Sequence, residues 1–260
     1  MPAPAQAGWW PPSWFKRSSG WGPPSGNSSS AAHRGGTCAS TTSKLPLTAL
    51  APTPVQAVDE QALGATTAAY PTLWFYLPYT IGQSTPSTQA EKSDKTPQPF
   101  VELRLEEKNA DDSAYHQRTI LTMSYTQAGI IGIPLTSTSQ SPLEVGKLYH
   151  WLFVIHCVPG DASANKFTRL SLLRVTPESR VPQPLEQSIP RPQRKLYTQY
   201  GLWDTVNDGV WNDFITALAA LRCRSPNDAT LTTLWAQSLT DVGLQSVAKQ
   251  PLQCPPAVPR

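Results

Sequence analysis

Apolar and polar positions alternate in short runs from about residue 45 to residue 176. Turn residues separate the runs. The segments "PLTAL", "PTLWFYLPY", "PFVELRLEEK", "YHQRTILTMSY", "AGIIGIPL", "LYHWLFVIHC" and "FTRLSLLRV" each have the length and β-branched or aromatic content of a strand. Polar connections such as "NADDS" and "VPGDASANK" have hairpin length. Seven strands at this spacing predict an Ig-like antiparallel β-sandwich over residues 44–178.

Within that region "YPTLWFYLPYT" is apolar on both parities. Tyr70, Thr72, Trp74 and Tyr76 lie on one face, and Pro71, Leu73, Phe75, Leu77 and Tyr79 on the other. A strand of this kind is buried on both sides, one face against a second sheet and the other beneath a cover. Leaving such side chains in water would forfeit about 1.5–3 kcal/mol each. By contrast, residues 100–106 set Phe100, Glu102, Arg104 and Glu106 against Val101, Leu103 and Leu105, which predicts one wet face. In "YHWLFVIHC", His150 and His156 share a face with Leu152 and Val154. Tyr149, Trp151, Phe153, Ile155 and Cys157 form the opposite face, expected in the core. Trp74, Phe75, Tyr76, Tyr149 and Trp151 are the main structural core candidates.

The period changes after the Pro-rich linker "TPESRVPQPLEQSIPRPQ". "RKLYTQYGLW" and "WNDFITALAALRCRS" read as helices, the second placing Phe214, Leu218 and Leu221 on one face. A further helix starts at Pro226-Asn227-Asp228, aligns Leu231, Leu234, Trp235 and Leu239, and stops at Gly243. Residues 179–250 therefore form a linker and a helical hairpin, similar to a tetratricopeptide fragment without a second copy, which is expected to pack on the sandwich as the missing cover. Residues 1–43, rich in Gly, Pro and Ser and bearing Trp9, Trp10, Trp14 and Trp21, read as a disordered arm, and residues 251–260 as a disordered tail.

Composition narrows the function. Only 15% of the 260 residues are charged, and 27 are proline, which suits short strands and turns over long helices. The net charge of +3 is spread without a Lys/Arg block, so no nucleic-acid surface is expected. No apolar run approaches the ~18 residues of a membrane span, and no transmembrane segment is predicted. "MPAPAQAGWW" has a small-residue Ala5-Gln6-Ala7 end without the apolar part of a signal peptide, which suggests a missing or truncated signal.

Chemistry-bearing motifs are scarce. There is no phosphate loop, dinucleotide fingerprint, nucleophile elbow or His-Glu-x-x-His, and no cofactor is expected. The types of His33, Cys38, His156 and Cys157 suit zinc, but adjacent strand residues point to opposite faces, so His156 and Cys157 cannot easily share an ion. Of the acids Glu106, Glu107, Asp111, Asp112 and Asp161, the "LEEKNADDS" group reads as a solvated hairpin turn, and Asp161 as a turn residue. None of the four cysteines, Cys38, Cys157, Cys223 and Cys254, is in C-x-x-C spacing. In an exported chain they would form two disulfides, with three connectivities open. A Cys38–Cys157 bond pinning the arm to the strands is the alternative weighed against the metal site.

Several of these segments also resemble a known family. Arg34-Gly35 with Cys38, Pro71-Thr72 with Trp74-Phe75-Tyr76, Pro78-Tyr79, Gly146-Lys147 with Tyr149, Trp151 and Cys157, and the Pro226-Asn227-Asp228 helix start with Trp235 are similar to the cyanobacterial domain-of-unknown-function family numbered 928. The resemblance spans about residues 33–248. It implies an exported protein and favours Cys38–Cys157, and it carries no activity. "GLWDTVNDGVWNDF" is longer than the family's compact turn, and Cys223 and Cys254 lie outside its motif. The expectation is a non-enzymatic extracytoplasmic module, periplasmic or secreted, that contacts a protein or cell-envelope partner. The alternative is a carbohydrate-binding module. An envelope hydrolase or metalloenzyme would need converging acids or metal ligands.

Overall fold

A computed structural model describes residues 45–52, 62–81, 99–108, 115–123, 127–158, 160–176, 199–200, 202 and 210–254. All seven expected strands form, together with one more, so eight occur among the described residues. They are β1 (Thr48–Ala49), β2 (Ala62–Thr66), β3 (Thr72–Leu77), β4 (Phe100–Lys108), β5 (Tyr115–Met123), β6 (Gly129–Pro134), β7 (Leu148–His156) and β8 (Lys166–Arg174). Among the described residues two α-helices follow, α1 (Trp211–Arg224) and α2 (Ala229–Asp241). The strands form a three-stranded sheet in the order β1-β3-β6 and a five-stranded sheet in the order β2-β8-β7-β4-β5.

The expectation of purely antiparallel pairing is corrected by the extra strand. β2, "ALGAT", runs parallel to β8, from Ala62 opposite Leu170 to Thr66 opposite Arg174. Its small residues carry no strong strand pattern, and its partner lies about a hundred residues further on, so no local turn announces the pairing. The other ladders are antiparallel.

β3 is core on both faces, as its sequence predicts. Leu73, Phe75 and Leu77 are fully buried, and Phe75 stacks on Phe153 of β7 with ring centroids 4.4 Å apart. On the opposite parity, the Trp74 indole Nε1 donates to Thr216 Oγ1 of α1 at 2.9 Å. The helices thus supply the cover that this face requires. Tyr76, Tyr149 and Trp151 are also buried. Gly132 of β6 faces Trp74 in register, and a Cβ there would come within 2.9 Å of the indole and of Thr72. Only a glycine leaves room for the ring.

Two residues of its first turn, Trp211 and Asp213, also fix α1 through hydrogen bonds. Trp211 Nε1 donates to Leu50 O at 2.9 Å. The Asp213 carboxylate, in the first helical turn, accepts from the Thr66 hydroxyl and from Thr67 N and Oγ1, at 2.8 and 2.6 Å for the two Thr67 atoms, at the end of β2. Helix α2 starts where the sequence places it: Asp228 accepts from Thr230 N at 2.8 Å and Leu231 N at 3.1 Å. It ends at Gly243 (φ +84°), with Leu244 N bonded to Leu239 O and Gly243 N to Thr240 O, the paired bonds of a Schellman stop. Phe214, Leu218, Leu231, Leu234, Trp235 and Leu239 are buried in the main core, while Leu221 packs at its margin.

The first residues of the expected tail are held. Ile130 N bonds Pro251 O at 2.7 Å, and Gln253 N bonds Ile130 O at 2.8 Å, so the chain runs along β6 there. Gly129, at φ +134°, allows this approach: a Cβ would lie 2.6 Å from Pro251 O.

Candidate functional site

Two constellations bring polar groups together. The first lies on the β4 face expected to be wet, and the structure corrects that expectation: Glu102 and Glu106 are buried, at 7% and 6% exposure. β4 lies between β7 and β5, and long side chains from both neighbours close over it. Glu102 receives Arg104 Nη2 at 2.5 Å, His156 Nε2 at 2.8 Å and the Thr119 hydroxyl. Glu106 receives Gln117 Nε2 at 2.9 Å and Arg169 Nε at 3.4 Å, and Gln117 in turn accepts from Arg104 Nη1 at 3.0 Å. The imidazole of His156 stacks on Phe100, with centroids 4.3 Å apart.

A register shift between Leu103 and Arg104 makes this network possible. Glu102 faces Thr122, but Arg104 faces Thr119 and Glu106 faces Gln117. The extra residue on β5 turns Thr119 and Gln117 onto the face of the glutamates. Burial alone would raise the Glu102 pKa. The hydrogen bonds from Arg104, Thr119 and His156, with the Arg104 charge, instead lower it to about 2. A carboxylate held so low and so fully engaged suits cross-strand stapling, whereas proton transfer near neutral pH requires a pKa closer to 7.

The second constellation is a cleft of about 500 Å³ between the end of α1, the outer side of α2 and the segment after it. Trp235, Ala236 and Ala248 line it with Arg222, and Thr233 and Lys249 stand among its rim residues. Arg222 lies over the Trp235 ring, 5.1 Å from its centroid. Its Nη1 is buried without a hydrogen-bond partner, and no carboxylate pairs with it among the described residues. Burial pushes its pKa below the ordinary arginine value. Trp235 is 1% exposed, and its indole N–H also has no partner. Trp74 and Trp211 place theirs on Thr216 and Leu50. Trp151 shares the orphaned N–H but lies in the sheet core, outside the cleft.

The far wall of the cleft is fixed covalently. Cys223, next to Arg222, is bonded to Cys254, which settles that pairing. Thr232, Thr233 and Thr240 on the rim donate their hydroxyl protons to the carbonyls of Asp228, Ala229 and Ala236. Sequence reading names Trp235 only as a core residue and passes over Arg222, because a basic residue in the last turn of a helix is commonplace.

Cys38, His33, Asp111 and Asp112 lie outside the described residues, as does the tryptophan-bearing arm. Cys157 is buried, as expected of its face. His156 binds Glu102, and Asp161 accepts from Ser163 N at 2.9 Å in a turn. Glu106 is not a solvated turn residue, because β4 continues past it to Lys108. Among the described residues no three His, Cys, Asp or Glu side chains are grouped to hold a metal, and no helix is long and apolar enough to cross a membrane.

No curated protein matches the chain, and no solved structure does. One family model does match, over residues 29–252, and the protein belongs to that family, the Domain of Unknown Function family DUF928.

Proposed function

We propose that this protein is a non-enzymatic extracytoplasmic binding module that holds a protein or other cell-envelope partner through the cleft on its helical face. One observation carries the reading: an open cleft lined by Arg222, whose buried Nη1 lacks a hydrogen-bond partner among the described residues. A buried donor without a partner costs about 1–3 kcal/mol, more when charged, and a bound partner recovers that cost. The Cys223–Cys254 bond supports an oxidising compartment, and Cys38–Cys157 is proposed as the second disulfide. The two sheets are read as the layers of a β-sandwich, on the strength of the Phe75–Phe153 contact between them. A carbohydrate-binding module is the second reading, favoured by the threonine oxygens on the rim.

A photo-crosslinking residue at Thr240 tests the reading in the native host, with Val145, which is 51% exposed and outside the cleft lining, as the control position. The reading predicts an envelope adduct from position 240 that is absent from position 145. Equal adducts from both positions, or none from 240, would refute it.

A further inference from the structure

The cleft lining combines cationic donors with hydroxyl acceptors, and that combination points to a ligand chemistry. Arg222, which lines the cleft and lies over the Trp235 ring, can only donate. Lys249, also donor-only, lines the same cleft and makes no ion pair among the described residues. On the rim, the hydroxyl protons of Thr232, Thr233 and Thr240 are committed to carbonyls four residues back, so their oxygens remain as acceptors. Gln237 donates one amide N–H to Asp241 at 2.6 Å and keeps its amide oxygen to accept and its second N–H to donate. A complementary ligand therefore carries a negative charge that accepts and hydroxyl groups that donate. Phosphate and sulfate satisfy only the first requirement, and neutral sugars only the second.

We propose that the cleft binds a hydroxylated carboxylate, the acidic sugar unit of a cell-envelope polysaccharide. Its carboxylate pairs with Arg222 and Lys249, and its hydroxyls donate to the rim threonines. The proposal rests on the binding reading above. Arg222 is half-buried and stacked on Trp235, so a rotation of its side chain brings Nη1 from its unpartnered position to a carboxylate oxygen. The cleft volume, about 500 Å³, is within the range of small-molecule sites.

The test uses the full chain with its disulfides intact and ¹⁵N-labelled tryptophan. The Trp235 indole resonance is assigned with Trp235→Phe and followed during titration with D-glucuronate, D-glucose, phosphate and sulfate. The expected result is a saturable shift with glucuronate, about tenfold tighter than with glucose or either inorganic anion, and weakened about tenfold in Arg222→Gln. Equal affinity for glucose, tighter binding of phosphate or sulfate, unchanged binding by Arg222→Gln, or no shift with any of the four would overturn it. Should Arg222→Gln not fold, the exposed Lys249→Gln carries the same expectation of weaker glucuronate binding, and unchanged affinity would count against the proposal. Crosslinks from Thr240 to an envelope protein, together with an unmoved Trp235 resonance, would overturn the sugar acid while leaving the binding reading intact. Loss of both results would overturn both.

Discussion

Substituting Glu102 by Gln isolates what the buried β4 network contributes and how acid removes it. In the folded protein the carboxylate has a pKa of about 2, against an ordinary value of 4.5. The pKa is depressed on folding, so the associated stability is fully present above pH 4.5 and is lost as the pH falls through about 2. At ~1.36 kcal/mol per tenfold change, full conversion of that difference corresponds to about 3.4 kcal/mol. The Arg104 side chain is 28% exposed, however, and solvent screens its charge. The expected contribution at neutral pH is therefore about 1–2 kcal/mol. Urea unfolding of both proteins at pH 7, 5, 4, 3 and 2 gives the difference directly, and carboxylates elsewhere cancel in the comparison. The gap should be present at pH 7 and should close as the pH falls from about 4.5 towards 2. A gap that stays constant across the series, or no gap at pH 7, would refute the assignment of this carboxylate as the acceptor of Arg104, Thr119 and His156.

Three further outcomes follow from contacts in the core and the helices. Gly132→Ala should cost about 1–3 kcal/mol in chemical denaturation, because its methyl group meets the Trp74 indole and the Thr216 hydrogen bond keeps that ring from moving aside. Replacing Cys223 and Cys254 together by serine opens a link between residues 31 positions apart. The chain-entropy relation puts that loss at about 3–4 kcal/mol, to be read from oxidised wild type against the double variant. Asp228→Ala removes the acceptor of two N–H groups at the start of α2 and should lower stability by about 1 kcal/mol; no change in the unfolding midpoint would show that the cap is replaceable.

Local chemistry was legible wherever it was decided locally. The doubly apolar pattern of residues 70–79 reveals that β3 needs a cover, and the Asp228 start and Gly243 stop delimit α2 because each acts within one helical turn. Glu102 and Glu106 show where a local reading fails. Alternation assigns them correctly to one face of β4, but exposure of that face depends on neighbouring strands. The bulge on β5 decides it, and Thr119 and Gln117 carry no sign in the sequence that their parity changes there. β2 was missed for a related reason: "ALGAT" is ordered by pairing with β8, far along the chain, and not by its own side chains.

The cleft combines all of these difficulties, which explains why its two most informative residues were inconspicuous. Arg222 and Trp235 each have an ordinary local role, one as a basic residue in a last helical turn and the other as a core aromatic. Their significance arises only when the segment after α2 forms the opposite wall. That segment is held at two points, by Cys254 on Cys223 and by residues 251–253 on β6, across about 120 residues of sequence. The positive φ of Gly129 admits the crossing on the sheet side. The cleft is therefore a product of chain closure more than of any motif. Opening the Cys223–Cys254 link should accordingly weaken ligand binding at the cleft more than Asp228→Ala does, because it releases the wall while leaving Arg222 and Trp235 in place.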